Sequence, residues 1–229
     1  MLKKYSGVVV EDTRISSKTI HLRIKLPEPI PFKSGQFMMM YGQGINLKRA
    51  YSIASPPQWA DFMDFLIEVK EGGQVSPHLV DLKKGSTVEM EGPFGKFILE
   101  QPLKKQTTFI ATGTGLAPFR SMIHDLLLTN AKTQINLLYG FRFPDGFLMK
   151  EELLGLAAEH QNFRLIATCS RPDETWKGLS GRVTDYLKEI SPMDNHVYLC
   201  GAPVMIEDTL KALQESGFPK EALHREVWG

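Results

Sequence analysis

Three short segments carry residue types suited to chemistry. Arg49-Ala50-Tyr51-Ser52 lies in an extended run, so alternation puts Arg49 and Tyr51 on one face and Ala50 and Ser52 on the other. An arginine fork can grip a phosphate bidentately, a tyrosine ring can cover a flat conjugated heterocycle, and a serine hydroxyl can donate to a ring nitrogen. Thr112-Gly113-Thr114-Gly115-Leu116-Ala117-Pro118 follows an apolar strand pattern and opens a helix. Its glycines let the backbone approach a pyrophosphate at the positive helix end. Pro118 replaces the third glycine of the dinucleotide fingerprint and suits a first helical turn. Cys200-Gly201-Ala202-Pro203 ends another strand and enters a helix. Each segment also has a plain structural reading: a strand with an exposed arginine, a strand-to-helix turn, and a buried cysteine acting as a small hydrophobe.

Secondary segments add to these. Gly72-Gly73-Gln74-Val75-Ser76 precedes a short helical stretch, Pro77–Leu82, and its backbone N–H groups and the Ser76 hydroxyl suit an anion; a plain turn with Ser76 as N-cap fits equally. Glu91-Gly92-Pro93-Phe94-Gly95 reads as a tight turn. Arg142, Ser170-Arg171 and Arg182 follow strand patterns, where guanidinium groups suit a 2′-phosphate; three solvated surface arginines are the alternative. Tyr139 and Phe141 read as core.

The elements that must position these residues change character along the chain. Up to about residue 100, short extended runs are separated by turn residues, which predicts an antiparallel β-barrel. Thr19–Leu26 alternates Ile20, Leu22, Ile24 and Leu26 against His21, Arg23 and Lys25, and Gln36–Tyr41, Arg49–Ala54, Phe65–Lys70 and Thr87–Gly92 follow. The polar stretch Gln101–Gln106 reads as a connection, dividing the chain into residues 1–102 and 103–229. Beyond it, strands at Thr108–Thr112, Ile135–Tyr139, Phe163–Thr168 and Val197–Cys200 alternate with helices from Pro118, at Lys150–His160, near Arg182–Ile190 and at Pro203–Glu215, and Leu223–Val227 closes the chain. That βα alternation predicts a Rossmann-like parallel α/β sheet, which binds ligands outside the carboxyl ends of its strands.

Composition narrows the function classes. Of 229 residues, 42% are hydrophobic and 23% charged, which argues for a globular chain, and a net charge of +1 argues against a cationic nucleic-acid surface. No apolar run approaches the ~20 residues of a transmembrane helix, and Met1-Leu2-Lys3-Lys4-Tyr5 lacks an apolar leader core, so a soluble cytoplasmic protein is expected. Two cysteines form no C-x-x-C pair and six histidines show no ligand spacing, so no metal is expected and a redox centre would be an organic cofactor.

The order and spacing of the three segments resemble those of the ferredoxin-NADP⁺ reductase superfamily over nearly the whole chain. The resemblance implies FAD bound by Arg49, Ala50, Tyr51, Ser52, Gly73, Gln74, Val75 and Ser76, in a domain spanning residues 1–102. It implies NAD(P)H bound in residues 103–229 by Thr112, Gly113, Thr114, Gly115, Pro118, Cys200 and Gly201, with Arg142, Ser170, Arg171 and Arg182 favouring NADPH over NADH. Cys200 would position the nicotinamide, Ser52 would tune the flavin, Glu226 would relay a proton and Trp228 would cover the flavin face; the family terminus carries Tyr where this chain has Trp228-Gly229. The implied activity is hydride transfer from NADPH to FAD, then electron release to a protein acceptor such as ferredoxin or flavodoxin. Alternatives are a free-flavin or quinone reductase, or the reductase component of an oxygenase or larger redox complex. Lys33, Lys48 and Lys96 are candidates for docking an acidic partner, although a solvated surface explains each as well.

Overall fold

The computed structural model describes residues 3–227, which divide into two compact units. The first comprises residues up to Ile98 together with Ala117–Thr129, the second Leu99–Leu116 and everything from Asn130 onward.

The first unit is a six-stranded antiparallel sheet of β1 (Lys4–Arg14), β2 (Thr19–Lys25), β3 (Phe37–Tyr41), β4 (Lys48–Ser52), β5 (Phe62–Glu68) and β6 (Thr87–Phe94), in the order β4-β3-β6-β1-β2-β5. The sheet curls so that the chain just past β4 meets β5, where Ala54 N–H donates to Asp64 O at 2.8 Å. Inward residues Leu22, Ile24, Met38, Met40, Met63, Phe65 and Ile67 are fully buried, each contributing roughly 1.5–3 kcal/mol. β1 was not foreseen as a strand: its register shifts between Val9 and Glu11, and a bulge there breaks the alternation. Glu91–Phe94, expected as a tight turn, instead continues β6, with Phe37 pairing Phe94. A five-residue helix α1 (Ser76–Val80) lies between β5 and β6.

The side of β2 that alternation assigns to solvent is covered. Asp64, opposite Arg23 across the β2–β5 pair, is fully buried. Arg23 clamps it through Nε and Nη2 at 2.7 and 2.9 Å, Arg120 Nη1 reaches it at 3.0 Å, and His21, only 5% exposed, places Nε2 3.2 Å away. The Trp59 ring lies 5.5 and 5.4 Å from the two guanidinium carbons. Burial pushes the Asp64 carboxyl up, but the Arg23 hydrogen bonds, then His21 and the Arg120 charge, override it and hold it well below the usual carboxylate range.

Arg120 belongs to helix α2 (Leu116–Leu128). From Ala117 on, this helix is part of the first unit, held through Arg120 Nη1 to Ala54 O at 2.9 Å, Ser121 Oγ to Ser55 O at 2.7 Å, and Ser34 Oγ to Asp125 at 2.6 Å.

The second unit is a six-stranded parallel sheet of β7 (Gln106–Thr112), β8 (Gln134–Phe141), β9 (Phe163–Cys169), β10 (Leu179–Ser180), β11 (Asn195–Gly201) and β12 (Leu223–Val227), ordered β10-β9-β8-β7-β11-β12. Helices α3 (Lys150–Glu159) and α4 (Pro203–Glu215) follow β8 and β11. The helix expected near Arg182–Ile190 is a 3₁₀ stretch, Val183–Glu189, whose first turn is tightened by Arg182 N–H donating to the Asp185 carboxylate at 2.8 Å. Pro192 disfavours helical geometry just beyond it. The chain winds outward from β7 to β10, then returns to β11, so the topological switch point lies between the carboxyl ends of β7 and β11. Among the described residues no helix is long and apolar enough to cross a membrane.

Asp64 is charged in the fold at a pH where it would be protonated unfolded, so its contribution is complete above the ordinary carboxylate range and is lost only as pH falls through its depressed folded-state value. Removing one partner of a buried charge costs about 3–5 kcal/mol. We expect Arg120→Met to destabilise the first unit by about that amount, read as a lower urea midpoint followed by fluorescence at Trp59; an unchanged midpoint would show that Arg23 and His21 suffice.

Candidate functional site

Each unit gathers its own set of the sequence-identified residues. In the first, β4 is the sheet edge beyond β3, with Met40 opposite Arg49, Met38 opposite Tyr51 and Phe37 opposite Ser52. Arg49 is exposed and spends one N–H on Lys48 O at 3.0 Å, with no carboxylate partner among the described residues. Tyr51 is half-buried against the barrel core, and burial pushes its phenol up to about 12 despite the neighbouring Arg49 charge. Ala50 is half-buried. Ser52 is 7% exposed, and its buried Oγ has no hydrogen-bond partner among the described residues. A buried hydroxyl left unpaired costs about 1–3 kcal/mol, so its position makes sense with an acceptor or donor from outside the chain.

The Gly73–Ser76 segment departs from expectation. The N-cap of α1 is Val75, not Ser76, and Ser76 lies inside the helix. Its Oγ accepts the Lys70 N–H at 3.1 Å while Gly73 N–H donates to Lys70 O at 2.8 Å, so the loop is tied to itself and Ser76 retains only its own proton to offer. The Val75 side chain is in the core, which leaves its backbone as the only group facing outward chemistry, and Gln74 is exposed. Lys48 is also not a free docking cation. It bonds Glu91 at 2.5 Å, and Tyr41 OH donates to the same carboxylate at 2.6 Å. The Lys48 and then Tyr41 hydrogen bonds hold Glu91 below its ordinary value. Lys33 and Lys96 are exposed.

In the second unit the residues collect at strand ends. Thr112 ends β7, Gly113–Gly115 form a 3₁₀ turn, and α2 starts at Leu116 with Pro118 buried in its first turn. The glycines serve a close approach, but the neighbour is protein. A Cβ on Gly115 would fall 2.3 Å from Cys200 O, and Gly201, at φ +142°, would place one 2.2 Å from Thr112 Oγ1. The two turns at the switch point therefore pack backbone to backbone, with Ala202 N–H donating to Thr112 Oγ1 at 3.1 Å and Tyr139 OH to Gly113 O at 3.1 Å. Thr114 is half-buried on the same turn. Tyr139, expected as core, is fully buried and uses its hydroxyl to brace this turn.

Cys200 is fully buried on β11, between Ala111 of β7 and Glu226 of β12 in register. Glu226 Oε2 has no partner among the described residues, and burial pushes the carboxyl up to about 7. Trp228 lies outside the described residues. Arg142, Ser170 and Arg171 stand at adjacent strand ends, where Ser170 N–H donates to Phe141 O at 2.9 Å and Arg171 N–H to Arg142 O at 2.8 Å. Gly181 N–H extends the ladder to Cys169 O at 2.9 Å, and Arg182 is the next residue. All four side chains are exposed, so β8, β9 and β10 end in a patch of three arginines and a hydroxyl. The buried set His21, Asp64 and Arg120 was missed by sequence reasoning; its signal was a lone carboxylate inside the apolar run Phe62–Ile67.

Comparison with known proteins agrees with this layout. The family model for oxidoreductase FAD-binding domains matches residues 6–98, and that for oxidoreductase NAD-binding domains matches residues 109–211. Fold and matches together define an oxidoreductase with an FAD-binding and a pyridine-nucleotide-binding domain. Ferredoxin–NADP reductase B of Sorangium cellulosum is 32% identical over 206 residues, covering 85% of this chain and 84% of that protein. The chain belongs to the ferredoxin reductase-like flavoprotein superfamily. NADH-cytochrome b5 reductase 2 of Scheffersomyces stipitis is 33% identical over 198 residues, 78% of this chain and 66% of the relative. The phenol 2-monooxygenase reductase component DmpP of Pseudomonas sp. strain CF600 is 33% identical over 222 residues, 93% and 62% respectively. The chain thus spans under two thirds of the length of these last two. Among solved structures, Amycolatopsis cytochrome P450 reductase GcoB superposes with a TM-score of 0.91 at 25% identity, covering 99% of this chain and 70% of that one.

With its folded-state value near 7 against an ordinary 4.5, Glu226 favours the fold while protonated and opposes it as pH rises through that range. We expect Glu226→Gln to gain on wild type between pH 5 and pH 8 by about 1–3 kcal/mol, read as diverging thermal midpoints; parallel midpoints would show that Glu226 is not held neutral.

Proposed function

We propose that this protein is an NADPH-dependent FAD reductase that passes electrons to a protein acceptor such as a ferredoxin or flavodoxin, with residues 1–102 holding FAD and 103–229 holding the nucleotide. The observation that carries the flavin assignment is the buried, unpartnered Ser52 Oγ on the strand that also presents Arg49 and Tyr51. These residues fit FAD: Arg49 for a phosphate, Tyr51 against the ring face, Ser52 donating to a ring nitrogen, and Gln74 and Val75 with backbone N–H groups on a loop that Gly73, its own N–H spent on Lys70 O, ties to itself. When bound, FAD supplies the conversion between paired and single electron transfer.

The protein contributes orientation, exclusion of water and proton handling. Thr112–Gly115 and Cys200–Gly201 make a rigid edge at the switch point, where a nicotinamide would be received, with Pro118 fixing the start of α2. Buried Cys200 fills space without offering a nucleophile, and neutral Glu226 beside it is able to give or take a proton near pH 7. Trp228 is assigned to the flavin face on resemblance alone.

The arginine patch with Ser170 supports NADPH, because a 2′-phosphate calls for bidentate cations. A second reading, NADH use with a cytochrome or oxygenase acceptor, is favoured by the names of two relatives, an NADH-cytochrome b5 reductase and a monooxygenase reductase component.

Anaerobic titration with each nucleotide separates the readings. We expect a flavin absorbance near ~450 nm that NADPH bleaches at lower concentration than NADH. Each lost charge-assisted bond is worth about 1.5–3 kcal/mol, so Arg142→Ala/Arg171→Ala should raise the KM for NADPH by roughly 10-fold or more while that for NADH barely moves. Equal bleaching by both, unaffected by the substitutions, would favour the second reading; a colourless protein that fails to retain FAD would sink both.

A further inference from the structure

The outer edge of the parallel sheet is only partly covered. β10 pairs only with Thr168 and Cys169 of β9, through Leu179 and Ser180. Backbone groups alternate sides along a strand, and Cys169 O faces outward, since it accepts Gly181 N–H there. The outward set therefore includes Leu165 and Ala167, and no strand pairs with Leu165. This edge forms one wall of a groove of about 610 Å³.

The groove is preformed and has a sign. Trp176 stands across from the edge, held by its Nε1–H donating to Leu179 O at 2.8 Å and by an edge-on contact with Phe141 at 5.1 Å. Leu154 and Leu179 line it while 48% and 45% exposed. Lys150, Arg164 and Lys177 line it too, and no carboxylate does among the described residues. Arg164 is paired with Glu189 at 2.8 Å, but Lys150 and Lys177 have no carboxylate partner among the described residues.

We propose that this groove is a docking site for an extended acidic segment of a partner protein, which adds to β9 as an edge strand. Unpaired N–H and C=O groups supply main-chain pairing, the leucines and Trp176 take alternate apolar side chains, and the two lysines select glutamate or aspartate at the others. Phe163 N–H already donates to His160 O at 2.9 Å, so Arg164–Ala167 offers about 13 Å of open edge, room for a strand of about four residues. The site goes beyond the proposed electron transfer and does not depend on it.

The test uses the full chain and a fluorescein-labelled, end-capped peptide alternating valine and glutamate, with a valine–lysine counterpart and a valine–glutamate peptide N-methylated at alternate amides. Saturable anisotropy binding is expected for the first, at least tenfold weaker for the other two, together with slowed hydrogen exchange at Leu165 and Ala167. The variant Lys150→Glu/Lys177→Glu should lose tenfold or more in peptide affinity and keep its rate of ferricyanide reduction. Absence of saturable binding, equal binding of acidic and basic peptides, or unchanged affinity in the charge-reversed variant would overturn the proposal. Displacement of the peptide by 2′,5′-ADP would assign the groove to the nucleotide instead, and concentration-dependent dimerisation that protects the same amides would assign it to a second copy; either result overturns it.

Discussion

A carboxylate with no access to water organises the first unit. Asp64 would be intolerable as a buried anion without partners, and its two arginines and one histidine come from β2 and α2, elements far apart in sequence. Satisfying it fixes β2 against β5, brings Arg120 of α2 against the sheet, and through the same guanidinium ties down Ala54 O, two residues beyond Ser52. The chain just past the strand bearing the candidate flavin residues is thus held by the same ion cluster. Replacing such a cluster with hydrophobic residues often costs little, but here the same guanidinium also ties α2 to the chain just past β4.

In the second unit the equivalent constraint is steric. Gly115 and Gly201 have no room for a side chain because the turns after β7 and β11 touch. The sequence invites a reading in which glycine makes way for a ligand; the geometry shows glycine also making way for neighbouring backbone at the strand ends. Precision there comes from the sheet and not from loop adaptation.

Much of this was legible in the chain. Alternation and βα repetition gave both sheets, because apolar period and turn residues report local geometry directly. Strand ends located the arginines and the cysteine correctly along the elements. What failed was whatever depends on a distant partner. His21 and Arg23 look solvated until Asp64 is placed opposite them, Ser76 looks like a cap until Lys70 takes its hydroxyl, and Lys48 looks free until Glu91 is found beneath it. β1 was hidden by its own bulge, and β10 is too short to leave a pattern.

The split membership of α2 bears on how such a chain can be dissected. The FAD-domain match ends at Ile98, which suggests a natural place to cut. A fragment ending there would carry Asp64, Ser55 and the carbonyl of Ala54 but not Arg120 or Ser121, leaving a buried anion short of a counter-charge and several polar groups without partners. The modular appearance of the sequence thus conceals an interleaved chain, in which a segment encoded with one half completes the interior of the other, and recombination between relatives would have to respect that debt.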